Sequence, residues 1–290
     1  MKSRRQFIKE AGICAGTLLL FGFSGGSRKE MSATEVPILA YHNIGYKKDR
    51  AGYTVTPDEF KKHLEILCMN DYKPESLDNL VWGEFRTCGK KVIFTFDDAW
   101  EGQFRMDDNG EIDPDCAVGM LKSFYGREAN ATFFVSFDKG NTAFGQPEKE
   151  KYKLNWLLDN GFGIGNHTYD HVFLSELTEE GIKEQIAKAD EKFEELLGKR
   201  WKAVKIFCYP GGEFPKTKNG MDIIKKRFVA AVRTKRGYKV VASPYPPIGY
   251  MYEIPRIGMY SGEKGENALD RITEGRYDPL SPSIPRSLRG

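Results

Sequence analysis

Two stretches carry side chains whose types and spacing could do chemistry together. Lys91 to Trp100, KVIFTFDDAW, is a β-branched and aromatic run from Val92 to Phe96 that ends in two adjacent carboxylates, Asp97 and Asp98. Neighbouring side chains of a regular strand point to opposite faces, so both acids reach one site only where the strand opens into a loop. Asn166 to His171, NHTYDH, sets His167 and His171 four residues apart, on one face if the segment turns helically. Two imidazoles and one carboxylate are enough protein ligands for a catalytic zinc, which keeps a further position for water. The other carboxylate would then be the base, and the chemistry metal-assisted hydrolysis. Each stretch also has a plain structural reading. Asp98 with Glu101 three residues on could cap a helix, and the two histidines could be half-buried core residues.

Thr95-Phe96-Asp97-Asp98, followed by His167-Thr168-Tyr169-Asp170-His171, resembles the NodB-like polysaccharide deacetylases of carbohydrate esterase family four, whose first two motifs are TFDD and H-[ST]-x-x-H. The resemblance runs from about Val36 to Met259. It implies an α/β fold, a distorted (β/α) barrel with its site at the C-terminal mouth. It implies Asp97 as general base and Asp98, His167 and His171 as ligands of one divalent metal. Zinc is the default, and nickel, cobalt or iron suit the same ligands. The implied substrate is an N-acetylated polysaccharide of the N-acetylglucosamine type.

Two positions depart from the family pattern. The third motif normally has an Arg two residues before its Pro, where this chain has Cys208 before Pro210; Arg256, in Ile254-Pro255-Arg256-Ile257, is the candidate to reach Asp97 from another strand. No histidine follows His171, so the late Leu-x-His that supplies the general acid in many members is absent. His42 is the expected substitute. Its strand, Leu39-Ala40-Tyr41-His42, is similar to the first strand of the poly-N-acetylglucosamine deacetylases, whose order is circularly permuted. The segment Tyr209-Pro210-Gly211-Gly212 offers Tyr209 as a substrate contact and a backbone N–H near Gly211 to an oxyanion, although a tight turn explains the same glycines. Trp100 and Tyr169 adjoin the motifs and could stack on a sugar ring.

The elements that would position these residues alternate between strand and helix, as in α/β architecture. Thr56-Pro57-Asp58-Glu59 is a helix start, with Phe60, Leu64 and Leu67 on one face; His63 on that helix reads as structural. A helix over DPDCAVGMLKSFYG leads to a strand at Ala131 to Val135, and a helix around Leu154 to Asn160 precedes the histidine motif. A long amphipathic helix begins near Thr178, and Lys205 to Tyr209 reads as a further strand. Asp107 to Asp113 reads as a solvated loop, because an EF-hand frame would put Arg105 and Cys116 where carboxylates are needed.

Met1 to Ser27 has a basic start and an uncharged stretch from Ala11, the pattern of an export signal, and Ser3 to Lys9, SRRQFIK, reads as a twin-arginine address. The expected partners are therefore the twin-arginine export machinery and a polysaccharide. The expected location is periplasmic or extracellular, with a membrane tether if the signal stays uncleaved. The division expected is 1–33 signal and linker, 34–262 catalytic domain and 263–290 a C-terminal tail, extended from Asp278 onward. A net charge of +3 argues against nucleic acid, and no later segment approaches the ~20 apolar residues of a membrane span. Cys68, Cys88, Cys116 and Cys208 form no disulfide framework. Competing functions are an O-acetyl esterase or small-molecule amidase on the same site, and a non-catalytic carbohydrate-binding protein with the same fold.

Overall fold

The computed structural model describes residues 34–84, 89–137, 142–234, 240–242 and 251–274. The export-signal stretch, Cys88 and the chain from 275 onward lie outside the described residues. In chain order the first half gives β1 Thr34–Val36, β2 Ile38–Tyr41, β3 Asn43–Ile44, β4 Thr54–Val55, α1 Pro57–Met69, β5 Tyr72–Pro74, α2 Leu77–Trp82, β6 Lys90–Asp97, α3 Ala117–Tyr125 and β7 Thr132–Val135. The second half gives α4 Glu150–Asp159, β8 Gly163–Asn166, α5 Glu179–Leu197, β9 Ile206–Cys208, α6 Lys218–Arg227, β10 Ala230–Thr234, β11 Val240–Ala242, β12 Ile254–Gly258 and α7 Glu263–Thr273.

Strands β6, β7, β8, β9, β10, β12 and β2 lie side by side, all parallel, and the ring closes because β2 pairs with β6 as well as with β12. The fold is thus α/β, a closed barrel of seven parallel strands, as the expected (β/α) barrel requires. The closing register sets Tyr41 opposite Phe96 on one side of β2 and Leu39 opposite Ile257 on the other. His42 therefore stands beside Asp97, at the C-terminal end of the adjoining strand.

Period-two alternation sorts the strand residues into two layers. Ile38, Ile93, Phe134, Ile206, Cys208, Val232 and Ile254 fill the barrel interior, joined by Leu77, Leu80 and Val81 of α2. That helix lies where the strands begin, since the carboxylate of Asp78 adjoins Gly163 at the first position of β8. Phe94, Phe96, Phe133 and Tyr41 face the surrounding helices, where Phe96 stacks between Tyr41 and Phe133 at centroid distances of 5.5 and 5.1 Å. Gly165 is required by closeness rather than by its dihedrals, because a Cβ there would run into the Phe134 ring.

Local chemistry sets the helix starts. Thr56 closes a complete capping box with Glu59 over α1, which buries Phe60, His63, Leu64 and Leu67, and Thr178 caps α5. His63 is a core residue, as its position on the helix predicts: it is 1% exposed, with Nδ1 3.2 Å from the Tyr41 hydroxyl. One expectation is refined and one alternative excluded. Residues 263–273 of the expected C-terminal tail form helix α7, with Leu269 and Ile272 buried and the Tyr72 hydroxyl donating to the Ile272 carbonyl at 3.0 Å. Asp98 caps no helix. It has φ 75° and the short turn that follows, Glu101–Gln103, starts after Trp100. Among the described residues no helix is long and apolar enough to cross a membrane.

Candidate active site

The inward alternation that fills the barrel floor with apolar groups ends at its C-terminal mouth in polar ones. On β6, Ile93, Thr95 and Asp97 follow one another inward; β9 contributes Cys208, β12 Arg256 and the end of β8 His167. Asp97 is 3% exposed and Arg256 1%, and the two pair in a bidentate fork, Nη1 to Oδ1 and Nη2 to Oδ2, both at 2.7 Å. Arg256 also donates to the Thr95 hydroxyl at 2.9 Å, the Cys208 sulfur at 2.9 Å and the Thr234 hydroxyl at 3.3 Å. The guanidinium thus reaches Asp97 from β12, while Cys208 stands where the family motif has its Arg.

Burial pushes the Asp97 carboxyl up, but the Arg256 guanidinium outweighs burial and holds it below its ordinary value, so it is a carboxylate at neutral pH. Burial also raises the Cys208 thiol well above its usual range. It stays protonated and can donate to Asp97 Oδ2, 3.6 Å away.

Beyond Asp97 the chain leaves the strand through two residues of positive φ, Asp98 at 75° and Ala99 at 56°. This break in alternation brings the second carboxylate to the same mouth. Asp98 Oδ1 lies 3.2 Å from His167 Nε2 and 3.1 Å from His171 Nε2, and the imidazole rings meet edge to face at 4.9 Å. Asp98 Oδ2 accepts from Trp100 Nε1 at 2.9 Å. His167 Nδ1 faces the Cys208 carbonyl at 2.8 Å, so that nitrogen carries a proton and Nε2 is free to present a lone pair. The histidine loop is pinned from α5: Gln185 accepts from the Tyr169 and Asp170 amides at 3.2 and 2.9 Å and donates to the Asp170 carboxylate at 2.8 Å. His171 adopts φ 51° within it.

The ligand atoms of Asp98, His167 and His171 all lie within 4.8 Å of one another, and Asp98 Oδ1 is buried with no hydrogen-bond partner. With its proton on Nδ1, His167 cannot donate to that oxygen through Nε2. Two imidazoles and a buried carboxylate oxygen converging on one point fit a divalent cation. A second cluster, Asp97, His167 and Cys208, is as tight, but the Arg256 guanidinium already occupies the space between Asp97 and the thiol. A cation there would meet another cation.

His42 follows β2 with its ring 4.5 Å from the Tyr53 ring, and its Nδ1 is buried without a hydrogen-bond partner. Burial holds the imidazole below its ordinary value, and the carboxylates of Asp97 and Asp98 offset only part of that. Gly211 lies just past β9 with φ 61°, exposed and close against the Phe173 ring. Trp100 is 39% exposed, leaving part of its indole open beside the Asp98 that it holds. Tyr209 does not belong to the site. Alternation along β9 turns it outward into the layer beneath α6, where it is buried and its hydroxyl meets Met221 sulfur at 3.8 Å. Tyr169 likewise packs on Phe137 at 5.8 Å. Gln103 and Gln185 lie outside the motifs and no local pattern marks them, while Thr95 opens the TFDD motif without a role of its own there.

A parallel barrel that gathers a buried carboxylate, the guanidinium paired with it and an Asp-His-His set able to hold a metal at one mouth is a hydrolase scaffold. Residues 85–226, just under half of the chain, match the family model "Polysaccharide deacetylase", in agreement with the resemblance to the NodB-like polysaccharide deacetylases. The Bacillus subtilis (strain 168) protein named "Putative polysaccharide deacetylase YxkH" is 24% identical over 189 residues, 64% of this chain and 60% of that protein. The chain thus matches less than two thirds of that relative's length. Among solved structures, Streptococcus pyogenes deacetylase PplD in complex with acetate superposes with a TM-score of 0.63 at 19% identity, covering 82% of this chain and 98% of its own. IcaB from Ammonifex degensii gives 0.61 at 19% identity, covering 83% and 97%. These two likenesses concern the fold.

Proposed function

We propose that this protein is a metal-dependent hydrolase that removes N-acetyl groups from a polysaccharide of the N-acetylglucosamine type. The observation that carries the reading is the pairing of two differently prepared carboxylates. Asp97 is locked ionised by a fork from Arg256, and Asp98 converges with two imidazoles on one point. Asp98, His167 and His171 would hold the cation, with zinc the default for two imidazoles and a carboxylate. When bound, it supplies a Lewis acid that draws charge from the acetyl carbonyl and acidifies water.

Asp97 takes the proton of the attacking water, for which it must be ionised and aimed, and Arg256 secures both. The new C–O bond forms as the carbonyl oxygen gains charge, and the Gly211 amide, in the turn just past β9, is the donor proposed for it. His42, across the strand pair from Asp97, gives its proton to the nitrogen as the C–N bond breaks. Acetate and a free amino sugar leave. The absent third-motif Arg and late His would favour a binding protein without turnover, and Arg256 in contact with Asp97 removes the first of these two supports. The proposal retains the twin-arginine address at Ser3 to Lys9, which predicts the protein outside the cytoplasm.

The test is acetate release from N-acetylglucosamine oligomers by chelated, zinc-reloaded and His42→Ala protein, with acetylated xylan alongside. Release restored by zinc and cut to a small residual rate in His42→Ala, with metal still loaded, supports the deacetylase. Preference for xylan would make it an O-acetyl esterase. Full metal occupancy with no turnover of either substrate would sink the enzymatic reading.

A further inference from the structure

The acid and the base in this reading come from different strands, and one buried side chain ties those strands together. Gln103, fully buried in the turn after β6, donates from Nε2 to the His42 carbonyl at 2.8 Å and to the Asp97 carbonyl. Both partners are carbonyl oxygens, so the amide orientation is fixed: the reverse would press its own oxygen against them. Each hydrogen of one NH2 group is spent on one catalytic residue's backbone. The turn reaches this depth because Gly102 precedes it, and a Cβ at 102 would strike the Ile44 carbonyl of β3.

The two tied carbonyls stand just where regular pairing ends. The register between β2 and β6 stops at Tyr41 opposite Phe96, and beyond it no strand ladder fixes His42 relative to Asp97. The Gln103 amide continues the pairing by one rung from a side chain. We infer that Gln103 is the positioning residue that sets the separation of the general acid His42 from the general base Asp97, an inference that rests on the roles proposed for those two residues. It touches neither substrate nor metal. Its oxygen is buried with no hydrogen-bond partner, so its contribution lies in the two donors.

The experiment compares Gln103→Met and Gln103→Glu with wild type. Met keeps the volume and removes both donors; Glu keeps the shape and puts oxygen where the donors were. Expected is a fall in kcat on the order of tenfold to a hundredfold in both, with KM and zinc stoichiometry unchanged. In a His42→Ala background the same substitutions should cost less than twofold, because the residue through which Gln103 acts is already gone. Equal losses in both backgrounds, or losses that track zinc occupancy, would overturn the inference. Should wild type hydrolyse neither oligomer nor ester, the functional reading fails separately. A crystal structure of Gln103→Met then still decides the clamp, which is wrong if the His42 and Asp97 carbonyls keep their spacing.

Discussion

Replacing Arg256 tests the centre of the site most directly. The guanidinium is 1% exposed and makes two bonds to Asp97 and one each to Thr95, Cys208 and Thr234. Arg256→Met removes the counter-charge of a carboxylate that is itself only 3% exposed, and breaking such a pair from one side costs about 3–5 kcal/mol. Arg256→Lys keeps a charge but not the fork, so one carboxylate oxygen and the Thr95 hydroxyl lose their donor; about 1–3 kcal/mol is expected. Denaturant unfolding of the three proteins should rank them wild type, Lys, Met. The sign with pH follows from the direction of the Asp97 shift. Held below its ordinary value, Asp97 contributes stability that is present above that value and lost as pH falls through the depressed one. Without Arg256 the upward push of burial dominates, Asp97 protonates at higher pH, and the acid limb of kcat/KM moves upward with it. A Met variant within about 1 kcal/mol of wild type, with an unmoved acid limb, would refute the account of a charge held by its partner.

Three further outcomes can be checked separately. Zinc at a hundredfold over its dissociation constant should stabilise chelated protein by about 2.7 kcal/mol, a rise in Tm of roughly 5–10 °C, and His171→Ala should abolish it. His63, pushed by burial from 6.5 down to about 4, stays neutral in the fold while the unfolded chain takes up a proton. Stability should therefore fall by about 3 kcal/mol as pH drops from 6.5 to 4, and His63→Phe should flatten that slope in pH-dependent unfolding; an unchanged slope counts against it. Gly165→Ala should cost about 1–3 kcal/mol in thermal unfolding, because the added methyl meets the Phe134 ring.

The parts of the site legible in the sequence are those whose chemistry is local. Adjacent Asp97 and Asp98 at a strand end, and His167 and His171 four apart, announce themselves without knowledge of the fold. Arg256 was a candidate only by position, since its contact with Asp97 depends on where β12 sits in the ring, which spacing along the chain does not fix. Gln103 and Gln185 are invisible for the same reason: a buried glutamine bonding to distant backbone looks in sequence like any surface glutamine. Tyr209 is different. With the phase of β9 set by inward Ile206 and Cys208, period two turns 209 outward, so the error lay in assigning no phase to a three-residue strand. The helix at 263–273 was missed because among its large apolar residues only Leu269 and Ile272 are buried, too few for a periodic signal.

Closure of the ring has a kinetic side. The strand that carries His42 is the first of the barrel and pairs with the last, and side-chain contacts around that seam join positions 200 to 204 residues apart. Contacts so distant in sequence exact a loop-closure entropy before they return any stabilisation, and they form slowly. His42 is therefore brought to Asp97 late in folding, when the two ends of the domain meet. During refolding from denaturant, recovery of catalysis should trail recovery of helical signal, with the delay timing the closing of the seam.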